Sequence, residues 1–320
     1  MTDQVFAYEK VNGNIRILRC YGISGRVSVP EEIEGLPVTE LSDYVFAGEQ
    51  DNEPENISGL PCICGMKLEE LYLPGTIMRL GRYVFYNCRN LRKLSFHSNI
   101  AFMGAGVFTG CDKLSYLVMY QEAGASCLRE ILQDLKQAVL VDCYLAGKIK
   151  YRLVYPEFFE EAVENTPARI ISTQTHGMGI QYRNAFRNTQ VIFKEYDRLF
   201  ETGKYNIELI NIIEMAIARL RYPYELEEQA KREYGFWLKE HIREAAEYFL
   251  ERKRQELTGS FGKQETWGDL RWMAEEFAET REEAELLVQA ANDKSDTEAL
   301  SLLMDVMHRR FPLGKKRFEL

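Results

Sequence analysis

The 320-residue sequence lacks a long hydrophobic run, because no stretch approaches the roughly 18 consecutive apolar residues that a membrane-spanning helix requires. The N-terminal residues 1–6 also lack the basic start and apolar core of a signal peptide. These two absences predict a cytoplasmic protein that does not contact a membrane.

Positive charge is scarce as well, since 40 lysines and arginines stand against 49 aspartates and glutamates, giving a formal net charge of -9. Such a chain repels a phosphate backbone unless its basic residues cluster, so we do not expect a nucleic-acid partner. There are only four histidines, and the G-x-S-x-G, Walker and HExxH patterns of common enzymes are absent. We therefore predict a protein that is not an enzyme and needs no cofactor.

Cysteine is limited to seven residues, an odd number, which in the expected compartment indicates free thiols rather than disulfides. A zinc site built from Cys62, Cys64, Cys88 and Cys111 is an alternative, but structural zinc sites usually draw on CxxC pairs. Cys88 and Cys111 instead occupy equivalent positions of a repeat. We expect packed thiols and no bound metal.

A repeat with a constant period occupies the N-terminal part of the chain. Its first half occurs as Leu68–Leu73, Leu91–Phe96 and Leu114–Met119, and 91 − 68 and 114 − 91 are both 23. Its second half, Leu80–Cys88, returns 23 residues later as Met103–Cys111. Self-similarity at such a period is typical of a solenoid, in which each repeat forms one coil.

The side chains of a β-strand alternate between its two faces, so the fourth and sixth positions of each six-residue unit point the same way. Leu71 and Leu73 are predicted to point inward, with Glu70 and Tyr72 pointing outward. A strand this short buries too little apolar surface to be stable alone, so each coil must stack on the next. The prediction is a solenoid with a parallel sheet along one side.

Two pairs of repeat-equivalent residues have predicted roles inside the coils. Phe85 and Phe108 are expected to stack as a ladder in the far wall. Gly81 and Gly104 are expected to suit the tight bend that follows each strand.

The pattern L-x-x-L-x-[LF] followed by [LM]-G-x-x-V-F-x-[NG]-C resembles the BspA-like leucine-rich repeat family. A looser copy of the repeat lies at Leu41–Gly48, with its strand at Val27–Pro30. The segment Glu34–Thr39, which precedes this copy, is similar to the opening repeat of that family. The resemblance covers about residues 14–120. The acidic, turn-rich stretch 49–67 interrupts the period and is predicted to be a looped-out insertion.

The middle of the chain is predicted to be an α/β segment that caps the solenoid. Its expected elements are a helix over 126–137, paired strands at 138–145 and 149–155, a short helix over 157–164, and a hairpin of 169–175 with 180–186. The carboxylates of the short helix are expected to form a solvated face.

Helical periodicity then dominates the C-terminal part. One helix with Ile207, Ile210, Ile213, Ile217 and Leu220 is predicted to be buried, and a longer one carries a stripe from 226 to 249. Hydroxyl residues placed three positions before a carboxylate predict three further helix starts, at Thr266, Thr280 and Ser295. The last two helices, about 281–292 and 296–309, resemble an ankyrin-type helical hairpin.

The predicted fold class is α+β: a short leucine-rich-repeat solenoid with a parallel sheet over 1–125, an α/β capping segment over 126–193 and a mainly α-helical domain over 194–320. Two isolated features remain. His176, close in sequence to Tyr182 and Arg183, is either a catalytic or phosphate-binding group or, as we prefer, part of a turn. The basic stretch 309–318 is either an RNA or acidic-protein contact or, as we prefer, a solvated tail.

A repeat solenoid offers a broad ordered surface and seldom a catalytic pocket. We therefore predict a non-enzymatic protein–protein interaction module or adaptor that binds a protein through the exposed face of the repeat sheet. The expected binding residues are Arg26, Ser28, Glu70, Tyr72, Lys93, Ser95, Tyr116 and Val118. The alternative is an enzyme or regulated effector whose activity lies in residues 121–320 and whose repeats select the target. A third alternative is nucleic-acid binding through the basic tail.

Overall fold

A computed structural model describes residues 4–48, 58–124, 126–165, 170–256 and 263–312. The chain divides into two compact units, Met1–Ile207 and Glu208–Leu320. The predicted domain boundaries at 125/126 and 193/194 stay predictions.

The first unit is a solenoid whose coils contribute strands to two sheets. In chain order the strands are β1 (Val5–Val11), β2 (Asn14–Tyr21), β3 (Arg26–Ser28), β4 (Glu32–Ile33), β5 (Leu36–Leu41), β6 (Glu70–Tyr72), β7 (Arg79–Leu80), β8 (Lys93–His97), β9 (Phe102–Met103), β10 (Tyr116–Tyr120), β11 (Val139–Leu145) and β12 (Lys148–Tyr155). The front sheet has the order β12-β11-β10-β8-β6-β3, and the back sheet has the order β1-β2-β5-β7-β9, with β4 beside β5. Neighbours pair in parallel except β1 with β2, β4 with β5 and β11 with β12, so the predicted parallel solenoid is confirmed.

The core between the sheets follows the predicted alternation. Leu71 and Leu73 are buried, as are their repeat equivalents Leu94, Phe96, Leu117 and Met119. In the far wall the ring of Phe85 stacks on that of Phe108 with centroids 5.4 Å apart, which confirms the predicted ladder. Phe46 of the looser copy extends the ladder, 5.7 Å from Phe85.

Gly81 and Gly104 are required by the closeness of adjacent coils rather than by a turn conformation. Both directly precede a turn, but neither has a positive φ, so the bend itself does not require glycine. A Cβ added to Gly104 would lie 2.6 Å from the main-chain nitrogen of Arg82, and one added to Gly81 would lie 2.5 Å from that of Asp43. A larger residue at either position would therefore force two coils apart.

The N-terminal end of the solenoid is closed by the β1–β2 hairpin, and Arg19 of β2 is fully buried. Its guanidinium donates hydrogen bonds to the main-chain oxygens of Val45, Ala47 and Gly48, at 3.1, 2.7 and 2.8 Å. Residues 49–57 of the predicted insertion lie outside the described residues. The chain rejoins the coil by residue 63, where the Ile63 amide donates to the Cys20 oxygen at 2.9 Å.

At the C-terminal end of the solenoid lie helix α1 (Leu128–Asp134) and the β11–β12 pair, which confirms the predicted helix and strand pair. The predicted helix over 157–164 is wrong, because Phe159–Asn165 is strand β13, antiparallel to β14 (Ile170–His176). The β-branched run of β14 supplies a partner strand, and this pairing outweighs the helical preference of the glutamates. The predicted hairpin of 169–175 with 180–186 is also wrong, because β14 pairs with β13 instead. Gly179–Arg183 forms helix α2.

Arg183 ties these capping elements together. It is fully buried and donates to the oxygens of Leu132 and Leu135 at the end of α1, at 3.0 and 2.9 Å, and to that of Gln137 at 2.7 Å. It also bonds to the Pro156 oxygen. Burial lowers the pKa of Arg183 to about 10, so the guanidinium keeps its charge at neutral pH.

The first unit ends with a two-residue strand pair, β15 (Phe186–Arg187) with β16 (Gln190–Val191), and helices α3 (Phe193–Arg198) and α4 (Phe200–Asn206). The second unit is helical. Its helices are α5 (Leu209–Arg221), α6 (Glu228–Glu240), α7 (Ile242–Glu256), α8 (Lys263–Trp272), α9 (Arg281–Asp293) and α10 (Thr297–Arg310), with a π-helical turn at Met273–Phe277. None of the helices in the described ranges is long and apolar enough to span a bilayer.

Several helical predictions need correction. The stripe over 226–249 belongs to two helices, since α6 ends before His241, and Ile210 of α5 is exposed. Thr266 lies inside α8, and Asp296 rather than Ser295 caps α10 by accepting from the Ala299 amide. The capping box of Thr280 with Glu283 is confirmed, as are the final two helices. Their relation to ankyrin repeats stays a prediction.

Replacing Phe85 tests the ladder. Phe85→Ala should lower the free energy of unfolding by about 3–5 kcal/mol, because burial is lost and a cavity remains between two rings. Denaturant titration measures the change. Tyr86→Ala removes a neighbouring side chain that is 40% exposed and should cost less than about 1 kcal/mol. Equal losses in the two variants would contradict the placement of Phe85.

Gly104→Ala tests the spacing between coils. The added methyl group meets main-chain atoms of the previous coil, so we expect a loss of about 1–3 kcal/mol in thermal or denaturant unfolding. Gly48→Ala is the matched control, since a Cβ there meets nothing within 4 Å. A Gly104→Ala variant as stable as the Gly48→Ala variant would refute the close approach.

Candidate functional site

The eight residues predicted to bind a partner lie on four neighbouring strands of the front sheet. The register places them in two rows across β3, β6, β8 and β10. The first row is Arg26, Glu70, Lys93 and Tyr116, and the second is Ser28, Tyr72, Ser95 and Val118. The structure thus brings all eight together on one sheet.

Three of these residues are not available to solvent. Ser95, Tyr116 and Val118 are only 8%, 4% and 4% exposed, so the expectation that the whole set faces solvent is wrong. They lie on β8 and β10, which have a strand on each side, so neighbouring side chains flank them. One such neighbour is Lys93, whose ammonium lies 5.1 Å from the centroid of the Tyr116 ring.

The other five predicted residues keep some exposure. Arg26 and Ser28 are exposed, whereas Glu70, Tyr72 and Lys93 are half-buried. The Arg26 Nε lies 3.1 Å from the Glu70 Oε1, forming an ion pair between β3 and β6. A role for these five residues in binding stays a prediction.

A buried ion pair continues the second row and was not anticipated from the sequence. Asp142 on β11 pairs in register with Val118 and with Arg152 on β12. The Arg152 Nε donates to Asp142 Oδ1 at 2.6 Å and its Nη2 to Oδ2 at 2.7 Å, while the Tyr116 hydroxyl donates to Oδ2 at 2.8 Å. The sequence signal was one aspartate and one arginine, each within the apolar strands of a predicted pair.

A second unanticipated feature is an aromatic row of four half-buried side chains: Tyr72, His97, Tyr120 and Tyr144. His97 stacks on Tyr120 with centroids 5.0 Å apart, and Tyr120 lies 5.6 Å from Tyr144. Tyr72 presents its edge to His97 and Tyr120 at 6.4 and 6.3 Å. The 23-residue period could have revealed part of this row, because His97 and Tyr120 are one period apart in the sequence.

The polar groups of the aromatic row are oriented for hydrogen bonding. His97 Nδ1 lies 2.7 Å from Glu122 Oε1, which fixes the imidazole between two tyrosines. Burial raises the pKa of the Tyr72 hydroxyl, which therefore remains protonated and able to donate. Aromatic side chains with polar tips are suited to binding another protein, because they bury large areas and still satisfy hydrogen bonds.

His176 has a separate setting on β14. Its ring stacks on Phe159 of β13 with centroids 4.8 Å apart, and its Nε2 lies 3.4 Å from Glu161 Oε2. Tyr182 and Arg183, its sequence neighbours, are fully buried, and Arg183 binds main-chain oxygens. The contacts of His176 are therefore with the neighbouring strand.

The repeat cysteines act as core residues. The Cys88 Sγ donates to the Phe46 oxygen and the Cys111 Sγ to the Phe85 oxygen, both at 3.2 Å. Burial raises the pKa of both thiols, that of Cys111 to about 12. The prediction of packed thiols is confirmed at these two positions. Within the described ranges, no three His, Cys, Asp or Glu side chains are grouped to hold a metal ion.

The basic C-terminal stretch begins with two arginines that act within the helical unit. Arg309 pairs with Glu275 at 3.0 Å, and Arg310 donates to the oxygens of Ala274 and Ala278 at 2.6 and 2.7 Å. Residues 313–318 of this stretch lie outside the described residues.

Residues 59–135 match the family model described as the BspA type leucine-rich repeat region, with six copies. The coils within these residues are BspA-type leucine-rich repeats. The match begins after the looser copy and extends through α1, whereas the resemblance in the sequence covers about residues 14–120. BspA-type and other leucine-rich repeats generally mediate protein–protein interactions.

Three solved structures are similar to this chain. A leucine-rich cell surface protein from Faecalibacterium prausnitzii is 19% identical over 38% of this chain and 32% of its own, with a TM-score of 0.26. A T. pallidum leucine-rich repeat protein is 20% identical over 41% and 77%, and a Bacteroides ovatus one is 12% identical over 45% and 52%, each with a TM-score of 0.21. This chain thus spans about a third of the F. prausnitzii protein. The search of curated proteins found no match to this chain.

Removing one partner of the buried ion pair tests its contribution. Arg152→Met leaves the Asp142 carboxylate buried without a countercharge and should cost about 3–5 kcal/mol of unfolding free energy. The double variant Asp142→Leu/Arg152→Met should recover most of that loss in the same denaturant titration, since neither partner of the pair then leaves an unpaired charge. Lys10→Met, which breaks the exposed pair with Glu34, should leave stability nearly unchanged. A double variant less stable than Arg152→Met would contradict this account.

Proposed function

We propose that this protein is a non-enzymatic interaction module that binds a protein partner through the aromatic row of its front sheet. The observation that carries the proposal is the continuity of four half-buried aromatic side chains across neighbouring strands. Tyrosine is enriched at the energetic centres of protein interfaces. The family of the repeats supports a protein partner in general terms.

The surroundings of the aromatic row supply the polar border that an interface needs. Arg26 and Glu70 form an ion pair with partial exposure, and Lys93 lies beside them in the first row. Glu122 contributes a carboxylate at the opposite end of the strands. Such a rim contributes specificity, while the rings in the centre contribute most of the affinity.

An adaptor role extends the proposal. The separate compact unit Glu208–Leu320 would carry a second partner. We place the protein in the cytoplasm, and the buried thiols of Cys88 and Cys111 support a reducing compartment. The competing proposal, an enzyme or effector activity in residues 121–320, predicts that His176→Ala abolishes a turnover that the row variants retain.

Partner capture tests the aromatic row. Tyr72→Ala with Tyr144→Ala should abolish capture of the partner from native lysate by tagged protein, because both outer members of the row lose their contact area. The melting temperature should change little, since both rings are half exposed.

The matched control is Tyr86→Ala with Tyr205→Ala, which removes two exposed tyrosines outside the row. Quantitative mass spectrometry of the captured proteins compares the variants. If the row variant retains every partner that the control retains, the aromatic row is not the binding surface.

A further inference from the structure

The back sheet ends in a strand with one open side. β9 pairs with β7, and no residue in the described part of the chain pairs with its other side. The amides of Phe102 and Gly104 donate to the oxygens of Met78 and Leu80 at 3.2 and 2.9 Å. Since successive amides of a strand point in opposite directions, the Met103 amide points away from β7.

The open edge borders a groove of about 680 Å³, whose other wall is helix α1. The repeat explains why the groove exists. The positions one period after Met103 and Gly104 are Ser126 and Cys127, and these line the groove without forming a strand. The chain turns into α1 here, so the back sheet stops one coil before the front sheet does.

The groove combines apolar surface with hydrogen-bond acceptors. Phe102 is 45% exposed at the edge, with the Arg79 guanidinium 4.3 Å from its ring on the β7 side. The only charged residues that line the groove in the described structure are Glu130 and Asp134, both acidic and exposed. The buried Oδ1 of Asn99, also in the lining, has no hydrogen-bond partner.

We propose that this groove binds an extended, cationic segment of a partner protein, which adds to β9 as a further strand. The main chain of the segment pairs with the Met103 amide, and its lysine or arginine side chains lie against Glu130 and Asp134. Strand addition derives affinity from main-chain hydrogen bonds and specificity from alternate side chains, and the charge of this groove selects a basic segment.

The probe is a capped Lys-Val-Lys-Val-Lys peptide titrated calorimetrically into the full-length chain. We expect it to bind, and a Glu-Val-Glu-Val-Glu peptide to bind at least about tenfold more weakly, because the groove is acidic. A lysine peptide with N-methylated amides should also bind with at least about tenfold lower affinity, because its main chain cannot pair with the strand edge. Binding should slow hydrogen exchange at the Met103 amide.

Variants locate the site. Glu130→Gln with Asp134→Asn should weaken the lysine peptide at least about tenfold, whereas Glu69→Gln with Asp112→Asn, which alters exposed acids outside the groove, should not. Tyr72→Ala with Tyr144→Ala should leave peptide binding unchanged, so this proposal and that for the aromatic row fail independently.

Three results would overturn the proposal. The first is equal binding of the two charge-reversed peptides, and the second is an unchanged affinity in the groove variant. The third is a concentration-dependent dimer, seen by sedimentation, that protects the Met103 amide from hydrogen exchange without any peptide. A second copy of the chain would then occupy the strand edge.

Discussion

Adjacent coils of the solenoid lie at the separation of hydrogen-bonded strands, about 4.8 Å, and every other feature must fit that spacing. The rings of Phe46, Phe85 and Phe108 stack because the coils repeat at this interval. Gly104 lies where the main chain of the previous coil leaves no room for a Cβ, and Cys111 reaches an oxygen of the previous coil. One distance between coils thus selects an aromatic, a glycine and a small thiol at fixed positions of the repeat.

The periodic part of the fold could be predicted from the sequence, because each coil repeats the same sequence pattern and the same local structure. The inward leucines and the phenylalanine ladder follow from a strand period of two and a coil period of 23. Residues 159–165 could not be predicted, since their strand depends on a partner at 170–176 that no local pattern identifies. Arg19 and Arg183 also could not, because they bind main-chain oxygens, which every residue has.

The candidate site shows the same division. Alternation identified which side chains of β6, β8 and β10 leave the core, but the exposure of each depends on its neighbours. Tyr116 and Val118 are buried beside Asp142 and Arg152, two charged residues outside the repeat. His97 and Tyr120 were one period apart in the sequence, yet their contact with Tyr144 depends on a 24-residue step into the cap. The accessible surface is therefore set where the period breaks.

Arg183 gives the cap a consequence for the order of synthesis. The oxygens of Leu132, Leu135 and Gln137 emerge from the ribosome well before the guanidinium that binds them. At about 5–20 residues per second, the end of the solenoid waits several seconds for this side chain. During that interval α1 and the β11–β12 pair can already pack on the last coil, but the main-chain oxygens at the end of α1 lack their donor, so the cap reaches its final hydrogen bonding only after residue 183 has emerged.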